Sequence, residues 1–152
     1  MGVRLTEDEA WAELAAAHTG ILTTLRRDGR PVSLPVWFVV LDRLVYVRTP
    51  ARTSKVVHVQ HDPRATFLVE RGERWAELCA VMLHADVMLV DAGSERDAVE
   101  TALTAKYAGF RTEAAQLPDA TREHYAVESA VLRLTPVGRL VTWDNSKLRL
   151  GE

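Results

Sequence analysis

The stretch that decides the fold is GILTTLRRDGRPVSLPVWFVVLDRLVYVRT, residues 20–49. Apolar and polar residues alternate over most of it, a pattern that is typical of β-strands. Asp28-Gly29 predicts one hairpin turn, and Leu41–Arg43 predicts a second. We therefore predict three strands. The middle strand is apolar on both faces and should be covered on both sides, with an open or bulged edge at Pro35, which cannot donate to a ladder.

Helices are predicted around these strands. Thr6 and Glu9 form a capping box that begins a helix reaching about His18. A short helix is predicted with Thr49 as its N-cap and Pro50 at its first position, and it should end at Asp62 because Pro63 follows. Ser94 resembles another N-cap, for a helix over residues 94–109, and residues 116–125 are predicted to be a loop with at most a short helical turn.

Further strands are predicted over residues 62–71, over residues 74–91, and as two strands in residues 126–144 that are broken at Pro136–Gly138. Many closely spaced antiparallel strands with few helices predict a mainly β fold, a small β-barrel with peripheral helices. A chain of 152 residues suits one domain, residues 1–152.

Composition excludes several classes of protein. The net charge is −2 without a long run of one sign, which argues against nucleic acid as a partner. No apolar run approaches the roughly 20 residues of a membrane span, and the N-terminal residues lack the apolar region of a secretory signal. The single Cys79 cannot form an internal disulfide, so we predict a cytoplasmic protein.

The segment after the third strand predicts an anion site. Arg52 and Lys55 follow Thr49 closely and flank two hydroxyl side chains, those of Thr53 and Ser54. Cations at a helix N-terminus are locally unfavourable unless an anion binds, and free N–H groups, a guanidinium, an ammonium and hydroxyls together suit a phosphate. The alternative is two solvated cations on a surface helix.

Two pairs of titratable residues are further candidates for a functional role. His84 and Asp86 share one face of the long strand and predict either a proton-handling pair or a hydrogen-bonded pair on a half-exposed face. His58 and His61 lie three residues apart on the short helix. No third ligand is evident, so we interpret them as surface histidines and predict no metal site.

Five landmarks occur in a familiar order: LTTLRRDGRP, PVWF, a Thr-x5-Lys segment, HDPRATF and VTWDNSK. In this order they resemble the split β-barrel flavin and deazaflavin oxidoreductases, the group that includes pyridoxamine 5'-phosphate oxidase. The resemblance covers about residues 18–147, and VTWDNSK resembles the tail of the deazaflavin-linked members. Vitamin B6 oxidation is not implied, because the oxidase's C-terminal residues for the substrate phosphate are not found.

The resemblance implies a split β-barrel homodimer with the cofactor at the subunit boundary. It implies that the segment after the third strand holds the phosphate of FMN or the phosphate-bearing tail of coenzyme F420. It also implies that the PVW strand runs beside the cofactor ring, with Trp143 contributed by the partner chain. The residues that it implies for cofactor binding are Pro35, Val36, Trp37, Thr49, Arg52, Thr53, Ser54, Lys55 and Trp143.

The function implied is that of a reductase in which reduced F420 delivers hydride to a small conjugated organic substrate. No catalytic side chain is predicted, because the cofactor carries such chemistry and the protein supplies position and charge. Two alternatives stay open. One is an FMN-binding oxidoreductase of the same fold. The other is a non-catalytic carrier or sensor that binds a flavin or a tetrapyrrole.

Overall fold

The computed structural model describes residues 2–126 and 128–148. Seven strands form one sheet: β1 Gly20–Leu25, β2 Pro31–Val36, β3 Phe38–Leu41, β4 Leu44–Pro50, β5 Arg64–Arg71, β6 Cys79–Leu89 and β7 Ser129–Asp144. The helices are α1 Glu7–Ala16, α2 Ser54–His61, α3 Ser94–Lys106 and α4 Asp119–Ala126. Within the described residues, no helix is long and apolar enough to cross a membrane.

The sheet is antiparallel throughout, in the order β2-β1-β5-β6-β7-β4-β3. Its two edge strands, β2 and β3, are consecutive in the chain and are separated only by Trp37. A flat seven-stranded sheet would hold its edges far apart, so the sheet must curl until they meet at this residue. The result is a curled half-barrel, which confirms the predicted mainly β class.

Apolar side chains pack on both faces of the curled sheet. The inner face carries the larger core, in which Phe38, Phe67 and Leu132 are fully buried, and α1 closes one side of it. On the outer face, α3 packs Val99 and Leu103 over β3, β4 and β7. The prediction that the middle strand is covered on both faces is therefore confirmed for β3. It is wrong for β2, an edge strand whose residues are mostly exposed.

Several local predictions are confirmed. The Thr6–Glu9 capping box is present in both directions. Gly29 has φ +83°, as the first hairpin turn requires, and Asp42 and Arg43 have φ +50° and +57° in the second. Helix α2 ends at Asp62, as predicted.

Three strand and helix boundaries differ from the prediction. The predicted middle strand is two strands, because its halves pair with β1 and β4 on opposite edges of the sheet. Helix α2 has Thr53 as its N-cap, because Thr49 and Pro50 remain paired with Ala130 and Ser129 of β7. The two predicted C-terminal strands are one 16-residue strand, in which a register shift opposite β6 accommodates the Pro-Val-Gly segment.

Two predictions about the second half of the chain are also wrong. Gly93, rather than Ser94, is the N-cap of α3, and no side chain caps that end. The segment predicted to be mainly loop contains α4, which begins at Asp119.

Candidate functional site

The N-terminal turn of α2, residues 53–55, is held firmly against the sheet. Val56 and Val59 are buried beneath the helix, which packs on β1 and β6. The Nδ1 atom of His58 lies 2.9 Å from the hydroxyl of Thr24, itself buried in β1. This turn therefore presents its backbone N–H groups at a fixed position, as a preorganised anion site requires.

Lys55 is the cation of this turn that lacks a partner. Its side chain is half-buried and makes no ion pair or hydrogen bond with the residues that the structure describes. Burial disfavours the charged ammonium and lowers the pKa of Lys55 below its usual value. Because it lies at the positive end of a helix, an anionic ligand would relieve both the desolvation and the dipole repulsion.

Hydroxyl groups and a second cation surround Lys55 in sequence. The hydroxyl of Thr49, which is buried at the end of β4, lies 3.1 Å from that of Thr53. Ser54 and Arg52 are exposed, and Arg52 forms no ion pair within residues 2–126 and 128–148. The turn therefore offers hydrogen-bond donors and positive charge to a phosphate-sized group.

A cavity of about 550 Å³ adjoins the turn at Thr49 and Pro50. It lies on the outer face of the sheet, between β4, the C-terminal end of α3 and the segment that follows α3. Its described lining residues are Trp37, Arg48, Thr49, Pro50, Leu103, Tyr107, Phe110, Arg111, Thr112, Leu117 and Ser129. This volume falls within the range of small-molecule sites.

Aromatic rings form one end of the cavity. Trp37 and Tyr107 are stacked, with ring centroids 4.2 Å apart and planes inclined by 4°. His18 packs edge-on against both rings and also against Phe110, whose ring centroid is 4.6 Å away. One face of the Trp37 indole is therefore occupied, and its position is fixed by the stack.

Two arginines among the lining residues give the cavity its charge. Arg48 is held by Glu100, 3.4 Å away, and by the Ser129 hydroxyl, which accepts from Nε at 3.2 Å. Arg111 is exposed and forms no ion pair in the part of the chain that the structure describes. No carboxylate is among the described residues that line the cavity, so the site is electropositive.

The residues predicted to bind cofactor do not all lie together. Trp37 and Thr49 line the cavity, residues 53–55 form the adjoining turn, and Arg52 directly precedes that turn. Val36 points into the barrel core, whereas Pro35 is exposed opposite Ile21.

Trp143 lies apart from the other predicted residues within one chain. It lies at the opposite end of β7 from Ser129, half-exposed, and its indole donates to Asn145 Oδ1 at 2.6 Å. Within one chain, Trp143 does not join the cavity lining.

The two candidate pairs of titratable residues are His84 with Asp86 and His58 with His61. His84 and Asp86 are exposed on the outer face of β6 and line a shallow depression, without a side-chain hydrogen bond to any described residue. His58 is bonded to Thr24. Over the described ranges, no cluster of three His, Cys, Asp or Glu residues could hold a metal ion.

Sequence reasoning missed three residues of the cavity: Tyr107, Phe110 and Arg111. They lie in the segment KYAGFR, at the end of α3. The available signal was two aromatic residues and an arginine around Gly109, at a helix C-terminus. That signal identifies a helix end but not which strands lie beneath it.

Comparisons with known proteins agree with this architecture. The family model described as pyridoxamine 5'-phosphate oxidase matches residues 6–138. No curated protein matches the sequence significantly. A conserved hypothetical protein of Mycobacterium tuberculosis has a similar structure, with a TM-score of 0.82 and 24% identity over 99% of this chain and 92% of its own.

Two further solved structures share the fold at lower identity. A FAD-binding protein of Mesorhizobium loti has a TM-score of 0.70 and 16% identity, covering 93% of this chain and 97% of its own. The heme storage protein HutZ of Vibrio cholerae has a TM-score of 0.69 and 15% identity, covering 90% and 94%. At these identities the likeness is one of fold.

Proposed function

This chain belongs to the pyridoxamine 5'-phosphate oxidase family, and on that premise we propose that it is an oxidoreductase that uses coenzyme F420. In this proposal the reduced deazaflavin supplies hydride to a small, conjugated, electron-poor organic substrate. The observation that carries the proposal is Lys55, a half-buried cation at a helix N-terminus without an anionic partner among the described residues. A cofactor phosphate would be that partner.

Each part of the turn has a role in this proposal. The backbone N–H groups at the start of α2 and the hydroxyls of Thr53 and Ser54 would donate to the phosphate. Lys55 would neutralise its charge, and Trp37 would flank the ring system at the β2–β3 corner. The protein would thus bind and orient the cofactor and exclude water from it, and no side chain is required to form a covalent bond.

The choice of deazaflavin over FMN rests on charge beyond the phosphate. F420 carries a longer acidic tail, which favours additional cations near the phosphate site. Arg52 supports this choice, because it is exposed beside the turn and unpaired within the described residues. Arg48 contributes less, because Glu100 already compensates its charge.

The FMN-binding oxidoreductase is the second candidate. FMN ends in a single phosphate, for which the compact turn with Lys55 suffices. A solved structure of the same fold is described as a FAD-binding protein, which supports a flavin-type cofactor for this architecture. The third possibility, a tetrapyrrole carrier, has a structural neighbour described as a heme storage protein.

We also propose that the chain acts as a homodimer. Five residues that are directly opposite one another form an apolar row across the outer face of β2, β1, β5, β6 and β7: Pro35, Ile21, Leu68, Met82 and Val141. All are half-buried or exposed within one chain. A second copy would cover this row, and the partner's Trp143 could then approach the cofactor.

A cytoplasmic location and a small-molecule substrate complete the proposal. Cys79 is a free, buried thiol, as expected for a chain that folds without disulfides. Nucleic acid is not proposed as a partner, because the net charge is −2 without a long run of one sign in the sequence. A membrane is not proposed either, because no helix within the described residues is long and apolar enough to cross one.

Titration of the purified protein with F420 and with FMN, in matched low-salt buffer, tests the proposal. We expect F420 to bind at least about tenfold more tightly, a difference of about 1.4 kcal/mol. Added salt should weaken F420 binding more than FMN binding, because more of its contacts are ionic. Equal or tighter FMN binding, or FMN retained through purification, would indicate that FMN rather than F420 is the cofactor. Binding of heme alone would favour the carrier.

A further inference from the structure

The cavity on the outer face of the sheet has features that a cofactor phosphate does not explain. Its aromatic rings and its two arginines lie outside the turn of α2, which the cavity adjoins at Thr49 and Pro50. We propose that this cavity is a second ligand site, which binds a small planar aromatic carboxylate. The proposal assigns a ligand other than the cofactor and does not depend on which cofactor the turn holds. Because Trp37 is also proposed to flank the cofactor ring, the two ligands would meet at its indole, and the test is therefore made without cofactor.

The aromatic end supplies a rigid surface for a flat ring. The stack on Tyr107 fixes the Trp37 indole, so little side-chain entropy is lost when a ligand packs beside it. Phe110 is 61% exposed at the cavity, although it is a large apolar side chain. A ligand ring would remove this exposed surface from water and would gain aromatic contacts.

The arginines of the cavity determine which ligand charge is favoured. Arg48 is already compensated by Glu100 and bonded to Ser129, whereas Arg111 is without an ion pair in residues 2–126 and 128–148. One uncompensated guanidinium matches one negative charge, so a monoanion is favoured over a dianionic phosphate. A carboxylate also fits the guanidinium fork with two parallel hydrogen bonds.

Polar groups near the arginines suit the oxygen atoms of such a ligand. The hydroxyls of Thr112 and Ser129 also line the cavity and can donate or accept. A volume of about 550 Å³ accommodates one or two fused rings together with the carboxylate. The flat apolar walls, together with an arginine that has no ion pair among the described residues, define the chemical class of the ligand.

The test uses 2-naphthoate as the probe and 2-naphthamide as its neutral counterpart, with the full chain in the absence of any cofactor. Affinity is measured by calorimetry, and the position of the ligand by the indole N–H signals in a nitrogen–proton correlation spectrum. We expect naphthoate to bind at least about tenfold more tightly than naphthamide. It should shift the Trp37 signal, identified by its loss in Trp37→Phe, while leaving the Trp75 signal in place.

Separate variants test the contribution of Arg111 and that of Phe110 to ligand binding. Arg111→Gln should weaken naphthoate about tenfold and naphthamide less than about twofold. Arg26→Gln removes another exposed arginine, from the first hairpin, and should change neither affinity. Phe110→Ala should weaken both probes, because it removes the aromatic wall. Phe110 is mostly exposed, so this variant should fold.

Three outcomes would overturn the inference: equal affinity for the two probes, equal effects of Arg111→Gln and Arg26→Gln, or an unshifted Trp37 signal at millimolar naphthoate. Lys55→Ala separates this inference from the proposed function, because it should leave naphthoate binding unchanged. Loss of naphthoate binding in Lys55→Ala would show that the probe occupies the turn of α2 and would also overturn the inference.

Discussion

Trp37 stacks on Tyr107 across the corner that joins the two edges of the sheet, with their ring centroids 4.2 Å apart. The Tyr107 hydroxyl accepts from the Phe38 amide at 2.8 Å and lies 2.8 Å from the carbonyl oxygen of His18. The C-terminal end of α3 therefore holds the corner at three points. Because Trp37 also lines the cavity, the same contacts that close the sheet position the aromatic end of the site.

Replacing Tyr107 by phenylalanine tests this role. Tyr107→Phe keeps the stack but removes the hydroxyl, which leaves a buried backbone N–H without its partner. We expect the free energy of unfolding to fall by about 1–3 kcal/mol, the usual cost of such a group. Urea unfolding measures the change. Tyr46→Phe is the control, because its hydroxyl donates to the carboxylate of the exposed Glu95, which water can reach, and its loss should cost less. Equal losses in the two variants would contradict the proposed role of Tyr107.

Lys55 gives the sharpest prediction for the turn of α2. Lys55→Ala should weaken binding of the cofactor by about 1.5–3 kcal/mol, as expected for a lost hydrogen bond to a charged group. Arg52→Ala should weaken it less, because that side chain is exposed. Affinity is measured by titration with each cofactor. Lys55→Ala should not reduce stability, because the half-buried ammonium has no partner among the described residues. Unchanged affinity in both variants would exclude this turn as the phosphate site.

The strand content was predictable from the sequence because the evidence for it is local. Alternation of apolar residues, the Asp28-Gly29 turn and the capping box at Thr6 each depend on a few neighbouring residues, and all three are present. The class of fold follows from such signals alone.

The wrong predictions concern positions where residues distant in the sequence determine the local structure. The corner at Trp37 depends on Tyr107, far along the chain, and nothing in residues 31–41 indicates it. Thr49 and Pro50 have good helix-start chemistry, yet ladder pairing with β7 keeps them in a strand. Pro136 suggested a strand break, but the register shift opposite β6 absorbs it. The cavity was not predictable because its lining residues are distant from one another in the sequence and only the fold brings them together.

The apolar row across the sheet predicts dimer contacts. Met82→Lys places a charge at the centre of the row, between Leu68 and Val141, and should shift the protein from dimer to monomer at micromolar concentration. Sedimentation velocity measures the distribution. Val57→Lys, at an apolar position 54% exposed on α2, is the matched control and should remain dimeric. A wild-type protein that is monomeric with cofactor bound would refute the homodimer.

Lys106 provides a prediction about pH. Its amino group is buried without a hydrogen-bond partner among the described residues and lies 3.8 Å above the centroid of the Phe38 ring. Burial lowers the pKa of Lys106 from 10.5 to about 8. Below pH 8 both the folded and the unfolded chain carry the proton, and the folded state bears the full cost of the buried charge. Between about pH 8 and 10.5 only the unfolded chain retains the proton, so this residue's contribution to stability becomes less unfavourable as the pH rises.

Lys106→Met removes the charge and keeps the length of the side chain, so we expect it to be more stable than the wild type at pH 7. The gain should be roughly 1–2 kcal/mol, since the contact with the Phe38 ring offsets part of the desolvation cost. The gain should shrink as the pH rises from 8 and disappear near 10.5. Urea unfolding at pH 7 and pH 10 gives the two differences. Lys147→Met removes a lysine that is paired with Glu9 and should show no gain at pH 7. If Lys106→Met differed from the wild type by the same amount at both pH values, the Lys106 amine would not be the titrating group.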